Sequence, residues 1–190
     1  CGDFFADSLD VGVASLDEAS LAALPRMGAT SVPVRFPDMH HLVALATVLS
    51  SSESAAYHAT GLATDWESYG KQTRGRLLAG LFYPAVTYQQ ALKLRGHILR
   101  AFCETMFANA DVMHAPALDI PVPTIEETDH ADGPGFLDAL IRLTRNIRPF
   151  NYLGVPTMAV PCGFTSNGLP AAFQLAARPF DEATLYRTAR

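Results

Sequence analysis

Side chains able to act as nucleophiles, bases or metal ligands are sparse in this sequence, and their spacing rarely lets two of them serve one reaction. Ser50-Ser51-Ser52 is the densest run of hydroxyls. A serine attacks a carbonyl only when a base takes its proton and backbone amides receive the oxyanion, which favours a glycine-bearing turn. This run has no glycine beside it and falls on a helical pattern, so it reads as a solvated helix end. The only lysines are Lys71 and Lys93. Cys162, in Pro161-Cys162-Gly163, ends an apolar run with no histidine close in sequence, and reads as a packed thiol. Cys103 lies on the apolar side of a helical pattern. Cys1 has the chemistry of an N-terminal nucleophile whose own amine is the base. Gly2-Asp3 adds nothing to support that, and a cut in a longer chain is the plainer reading. His40-His41 with Asp38 has ligand chemistry, but adjacent histidines at a helix start face different ways and no third ligand follows. No metal site and no cofactor are expected. His58, His97 and His114 are isolated and read as hydrogen-bonded or exposed. His130, beside Glu126, Glu127 and Asp129, reads as solvated.

These groups must be positioned by a packed domain. At 190 residues, 49% of them hydrophobic, the chain can bury a core in one domain, residues 1–190. A formal charge of −5 without a basic run points away from nucleic acid and anionic membranes. Three distant cysteines give no disulfide framework, which suggests a reducing, cytoplasmic setting. Ser15-Leu16-Asp17-Glu18 can cap a helix that Pro25 ends or kinks, and Val32-Pro33-Val34 reads as a strand. Helical spacing runs from Met39 to about Tyr57, ending in the serine cluster or continuing through it, from Gln72 to Leu81, and most clearly from Tyr88 to Met106. Asp111 to His114 reads as a strand, Pro116 to Gly135 as a long loop, and Phe136 to Asn146 as a helix.

Thr157–Cys162 and Leu169–Ala177 are apolar runs joined by Thr165-Ser166-Asn167-Gly168, the residues of a tight reversal. This predicts a hairpin, buried on both faces, followed by a helix capped by Asp181. The alternation of elements predicts an α/β layered architecture, α/β/α, with a mixed sheet covered by helices.

The closing segment, Pro156 to Gly163 with Gly168-Leu169-Pro170 to Arg187, resembles that of the amidase signature hydrolases. The order of elements before it is similar to the C-terminal half of that family. Cys1-Gly2-Asp3-Phe4-Phe5 falls at a strand of the family, Met27 to Thr30 at a helix-to-strand passage, and Ser52 to His58 at a helical patch. Tyr88 to Arg95 resembles the start of its long helix and Asp111 to Pro123 its strand and Pro-rich loop, although Ala115-Pro116-Ala117 replaces the usual Thr-Pro-Thr. The resemblance implies hydrolysis of carboxamides by a Ser-Ser-Lys set carried in the other half. This chain alone is then expected to be inactive, with no catalytic residue of its own.

The resemblance also implies a small amide as substrate and the complementary N-terminal half as partner, and leaves a homodimer open. Arg76 falls near the arginine with which glutamine-using members pair the substrate α-carboxylate, while the acidic partner of those members falls near Thr144. A general amidase is therefore favoured over the A component of a glutamyl-tRNA amidotransferase. Arg76, Tyr83 and Tyr88 are the expected substrate-binding residues, against a plainer reading as surface charge and core aromatics. Two alternatives stay open: a noncatalytic binding module on the same fold, and a hydrolase using Cys1.

Overall fold

The computed structural model describes residues 2–128 and 134–190; Cys1 and His130 lie outside them. The chain opens with a short helix, α1 (Gly2–Ala6), where the resemblance implied a strand. Phe4 and Phe5 turn into the core from it, which a single buried turn of helix achieves and a two-faced strand would not.

Helix α2 (Val11–Ala23) is capped by Asp10, whose carboxylate accepts from the backbone N–H of Gly12 and Val13 at 2.8 and 3.3 Å. The cap therefore lies five residues before Ser15. As Pro25 requires, the helix stops at Ala23 and tightens into a 3-10 turn, Leu24–Met27, closed by Gly28 at φ 93°. Val32-Pro33-Val34 forms no strand. Among the described residues no strand lies alongside it, and Pro33 has no N–H to offer one.

Helix α3 (Met39–Thr64) runs straight through the serine cluster, so that cluster is mid-helix rather than a helix end. Its stripe Met39, Leu42, Leu45, Ala46 and Leu49 is buried. Helix α4 (Lys71–Gly80) packs along α3, and their closest approach is at Gly80, where a Cβ would overlap the Ser51 carbonyl. Helix α5 (Ala85–Met106) buries Ala91, Phe102 and Met106, the face its periodicity predicted.

After β1 (Val112–Pro116) the Pro-rich segment contains one turn of helix, α6 (Ile125–Thr128). Helices α7 (Pro134–Thr144) and α8 (Arg148–Leu153) meet at a corner. Strands β2 (Thr157–Phe164) and β3 (Pro170–Ala177) form the expected hairpin, and α9 (Glu182–Thr188) closes the chain. Asp181 stands before α9 as expected, but its carboxylate accepts from the Thr184 hydroxyl rather than a backbone amide.

The sheet order is β1-β3-β2, antiparallel throughout. One face, bearing Met113, Ala115 and Ala176, packs on α3, α5 and α8 through Leu42, Phe102, Phe150 and Leu153. The other, bearing Phe173, Leu175 and Ala177, packs against α9 through Leu185, and α2 crosses it. The α/β layering thus holds, while a parallel strand is absent among the described residues. The hairpin is only half interior. Central β3 is buried from Phe173 to Ala177, but edge strand β2 leaves Thr157, Ala159 and Pro161 exposed on the side where the helices stop short.

Two buried polar knots hold these layers. Asp119, with no exposure, accepts from Ser8 Oγ at 2.7 Å and from Arg145 Nη1 at 3.3 Å, and Arg145 also bonds the Phe4 carbonyl and lies over the Phe4 ring. Under α2, the Ser20 hydroxyl donates to the Asp17 carbonyl at 2.7 Å and contacts His114 Nε2 at 2.9 Å. Burial holds His114 down at about 4 and pushes Asp17 up to about 6. Asp17 Oδ1 has no hydrogen-bond partner and stands 3.9 Å from Nε2.

Gly75→Ala, in open space on α4, should stabilise the chain by about 0.5–1 kcal/mol. Gly80→Ala should cost about 1–3 kcal/mol by forcing α3 and α4 apart. Urea denaturation of both variants checks this, and equal effects would refute the close approach.

The raised Asp17 contributes stability that is complete below about pH 4 and lost as pH rises through about 6. The lowered His114 contributes stability that is complete above about 6.5 and lost as pH falls through about 4, so the two slopes oppose each other. Asp17→Asn should therefore gain stability at pH 7.5 and expose the His114 slope, a fall of about 1–2 kcal/mol between pH 6.5 and 4. Parallel stability profiles for the two proteins would rule this out.

Candidate functional site

The most distinctive grouping of charge is the corner where α4 and α8 approach α3. Arg148 is the first residue of α8, and its side chain reaches back across α3. Its Nη1 donates to Thr47 Oγ1 at 2.7 Å and its Nε to Thr144 Oγ1 at 3.0 Å. Both hydroxyls can accept because each gives its own hydrogen to its helix, Thr47 to the Val43 carbonyl and Thr144 to the Leu140 carbonyl. Burial lowers the Arg148 pKa, and the neighbouring charge of Arg76 lowers it further. Arg76 is exposed on α4, one turn before Gly80. Among the described residues neither arginine has a carboxylate partner; the ion pair of α4 belongs to Arg74 and Glu67.

The predicted site residues are only partly gathered. Arg76, exposed on α4, reaches Arg148 only through its charge, whereas Thr144, at the position compared with an acidic residue, accepts from Arg148 directly. Tyr83 is half-buried in the turn between α4 and α5. Tyr88 packs against the core, and its hydroxyl donates to Glu53 of α3 at 3.2 Å, so that group is committed to the α3–α5 seam. Sequence reasoning assigned nothing to Arg148. The available signal was an arginine four residues after Thr144, but its second partner, Thr47, is 101 residues away.

Among the described residues, the contacts seen for the remaining groups assemble no acid–base pair. Ser50 is exposed, and the Ser52 hydroxyl is buried without a partner inside a helix. Lys71 and Lys93 are exposed on α4 and α5. Burial raises the thiol pKa of both Cys103 and Cys162, which makes them poor nucleophiles. His58 contacts the Tyr69 hydroxyl at 3.2 Å and His40 lies edge-on to Phe4. Among the described residues no group of His, Cys, Asp and Glu is arranged to hold a metal ion.

A separate cleft of about 340 Å³ opens at the start of β2 between Phe150, Asn151, Val155, Pro179, Phe180 and Glu182. It includes none of Arg76, Tyr83 or Tyr88. The arginine corner can orient an anionic group; it has no nucleophile with which to cut one.

The Amidase family model matches residues 2–186. An amidase of Pseudomonas putida is 34% identical over 186 residues, which are 97% of this chain and 40% of that protein. The A component of the glutamyl-tRNA(Gln) amidotransferase of Bacillus thuringiensis (strain Al Hakam) is 33% identical over 195 residues, 90% of this chain and 39% of the relative. A crystal structure of an amidase superposes with a TM-score of 0.82 at 27% identity, covering 98% of this chain and 42% of the other. The chain spans about two fifths of the length of these relatives. Matched in sequence almost from end to end, and in fold by a solved amidase, this chain belongs to the amidase family.

Proposed function

We propose that this chain is the C-terminal part of an amidohydrolase that cleaves carboxamides by a Ser-Ser-Lys mechanism, with the catalytic residues in an N-terminal part of the enzyme. One observation carries this reading. Nearly the whole chain matches relatives named amidase over only about two fifths of their length, and its own sequence has no Gly-Ser-Ser-Gly string and no Gly-Gly pair.

In that chemistry a serine hydroxyl adds to the amide carbonyl carbon and its proton passes through a second serine to a neutral lysine. Backbone N–H groups of a glycine-rich loop hold the oxyanion, and the proton is returned to the departing amine. The part assigned to this chain, a single partial domain, is to bind and to orient. It supplies three strands, the helices that cover them, and a pocket wall to which Arg76, Tyr83 and Tyr88 contribute.

Edge strand β2, paired on one side only among the described residues, suits a sheet that continues into the complementary N-terminal part, the proposed partner. A small amide is the proposed substrate. The charge balance and unpaired cysteines favour the cytoplasm, and a general amidase remains the preferred subclass because Thr144 offers no charge to a substrate ammonium.

The chain incubated alone with a panel of simple aliphatic and aromatic amides should release no ammonia above background. Coexpression with the N-terminal part should bring turnover by at least about 10⁴-fold over background. Turnover by the chain alone that disappears in Ser51→Ala or Cys162→Ala would reverse the assignment, and a complex without turnover would favour a noncatalytic module.

A further inference from the structure

The turn that follows β3 holds a phenylalanine where its geometry asks for glycine. Arg178 to Asp181 is closed by the Asp181 N–H, which donates to the Arg178 carbonyl at 3.1 Å, with Pro179 second and Phe180 third in the turn. Phe180 adopts φ 66°, a left-handed value of the kind a type II turn needs at that position and that glycine or asparagine supplies without strain. Asp38, the other non-glycine residue at positive φ among the described residues, is of a type that tolerates it; a bulky aromatic is not. The strain brings no burial in return, because Phe180 is 95% exposed, more than any other large apolar side chain among the described residues.

Phe180 lines the cleft of about 340 Å³ at the start of β2. Phe150 and Val155 contribute buried apolar surface to that cleft, whereas Asn151 and Glu182 are exposed. Pro156 lines it too, and the next residue, Thr157, opens β2, whose outer edge is unpaired among the described residues. A chain that pairs along β2 from Thr157 therefore arrives beside the cleft. An apolar patch continuous with an open strand edge has the anatomy of a protein interface.

We propose that the cleft around Phe180 is a docking surface for the N-terminal part of the same enzyme, which lays an apolar segment over the Phe180 ring as it continues the sheet from β2. The inference rests on the amidase reading above and names where that partner seats. The chain spans about two fifths of its relatives, so the proposed partner is the larger piece and can cover edge and cleft together. Covering an exposed aromatic ring offsets the strain that holds it out from the turn.

Coexpression of the affinity-tagged chain with the N-terminal part tests the seat. The wild-type chain should retain that part, and Phe180→Asp should lower the amount retained at least about tenfold. Phe180→Gly separates docking from folding. It should also lower retention, yet leave the urea midpoint of the chain alone unchanged or higher, because it relieves the positive φ and removes no packing. A lower midpoint would make Phe180 a structural residue of this chain and overturn the docking role, and so would retention unchanged by Phe180→Asp. A dimer of the chain alone in sedimentation, dissolved by Phe180→Asp, would give the cleft to a second copy and overturn it as well. Phe180-dependent retention without amide turnover would sink the amidase reading and keep the seat, whereas turnover with retention indifferent to Phe180 would do the reverse. No retention by the wild-type chain would sink both.

Discussion

The structure depends most on the burial of one carboxylate. Asp119 lies just past β1 with no access to water, and a charge in that position is tolerable only when paired and hydrogen-bonded. Arg145 and Ser8 provide the partners, and the backbone carbonyl of Asp119 takes the Asp10 amide at 2.8 Å. One residue thereby joins the N-terminal segment, the loop after β1 and the α7–α8 corner, of which the first and last are more than a hundred positions apart in the chain. Breaking such a buried pair from one side costs about 3–5 kcal/mol, a large part of a domain's stability.

That anchor also aims the arginine corner. Arg145, in the short turn after α7, and Arg148, the first residue of α8, are three residues apart, one directed to Asp119 and the other across α3 to Thr47. Gln174 of β3 stiffens the turn from beneath, its Nε2 donating to the carbonyls of Pro116 and Asn146 at 3.1 Å each. Arg148 is thus presented by a corner whose direction is set by buried hydrogen bonds rather than by its own surroundings.

Much of the fold is legible wherever one local rule dominates. The α5 face follows from helical spacing, and the β2–β3 reversal from Thr165 to Gly168, where Gly168 adopts φ 79°. Reading fails where a neighbour decides. Val32-Pro33-Val34 has strand composition, but a strand exists only when another pairs with it. β2 and β3 look equally apolar, yet one is central and the other is an edge with an uncovered face. The serine run looks like a helix end because serine favours caps, whereas packing of α3 against α4 at Gly80 carries the helix on to Thr64. For the site, Arg76 was legible through resemblance and Arg148 was not, because its partners come from separate helices.

By itself the sequence determined the family, the order of helices and strands, and the shortage of catalytic groups, since these rest on local spacing and residue type. Only the tertiary structure decided that Asp17 Oδ1 is buried without a hydrogen-bond partner, that Tyr88 answers to Glu53, and that Arg148 joins Thr47 to Thr144. The physical reason is the same in each case. Charge and hydrogen bonding act over a few ångströms of space, and residues far apart along the chain reach that separation only after the layers have packed.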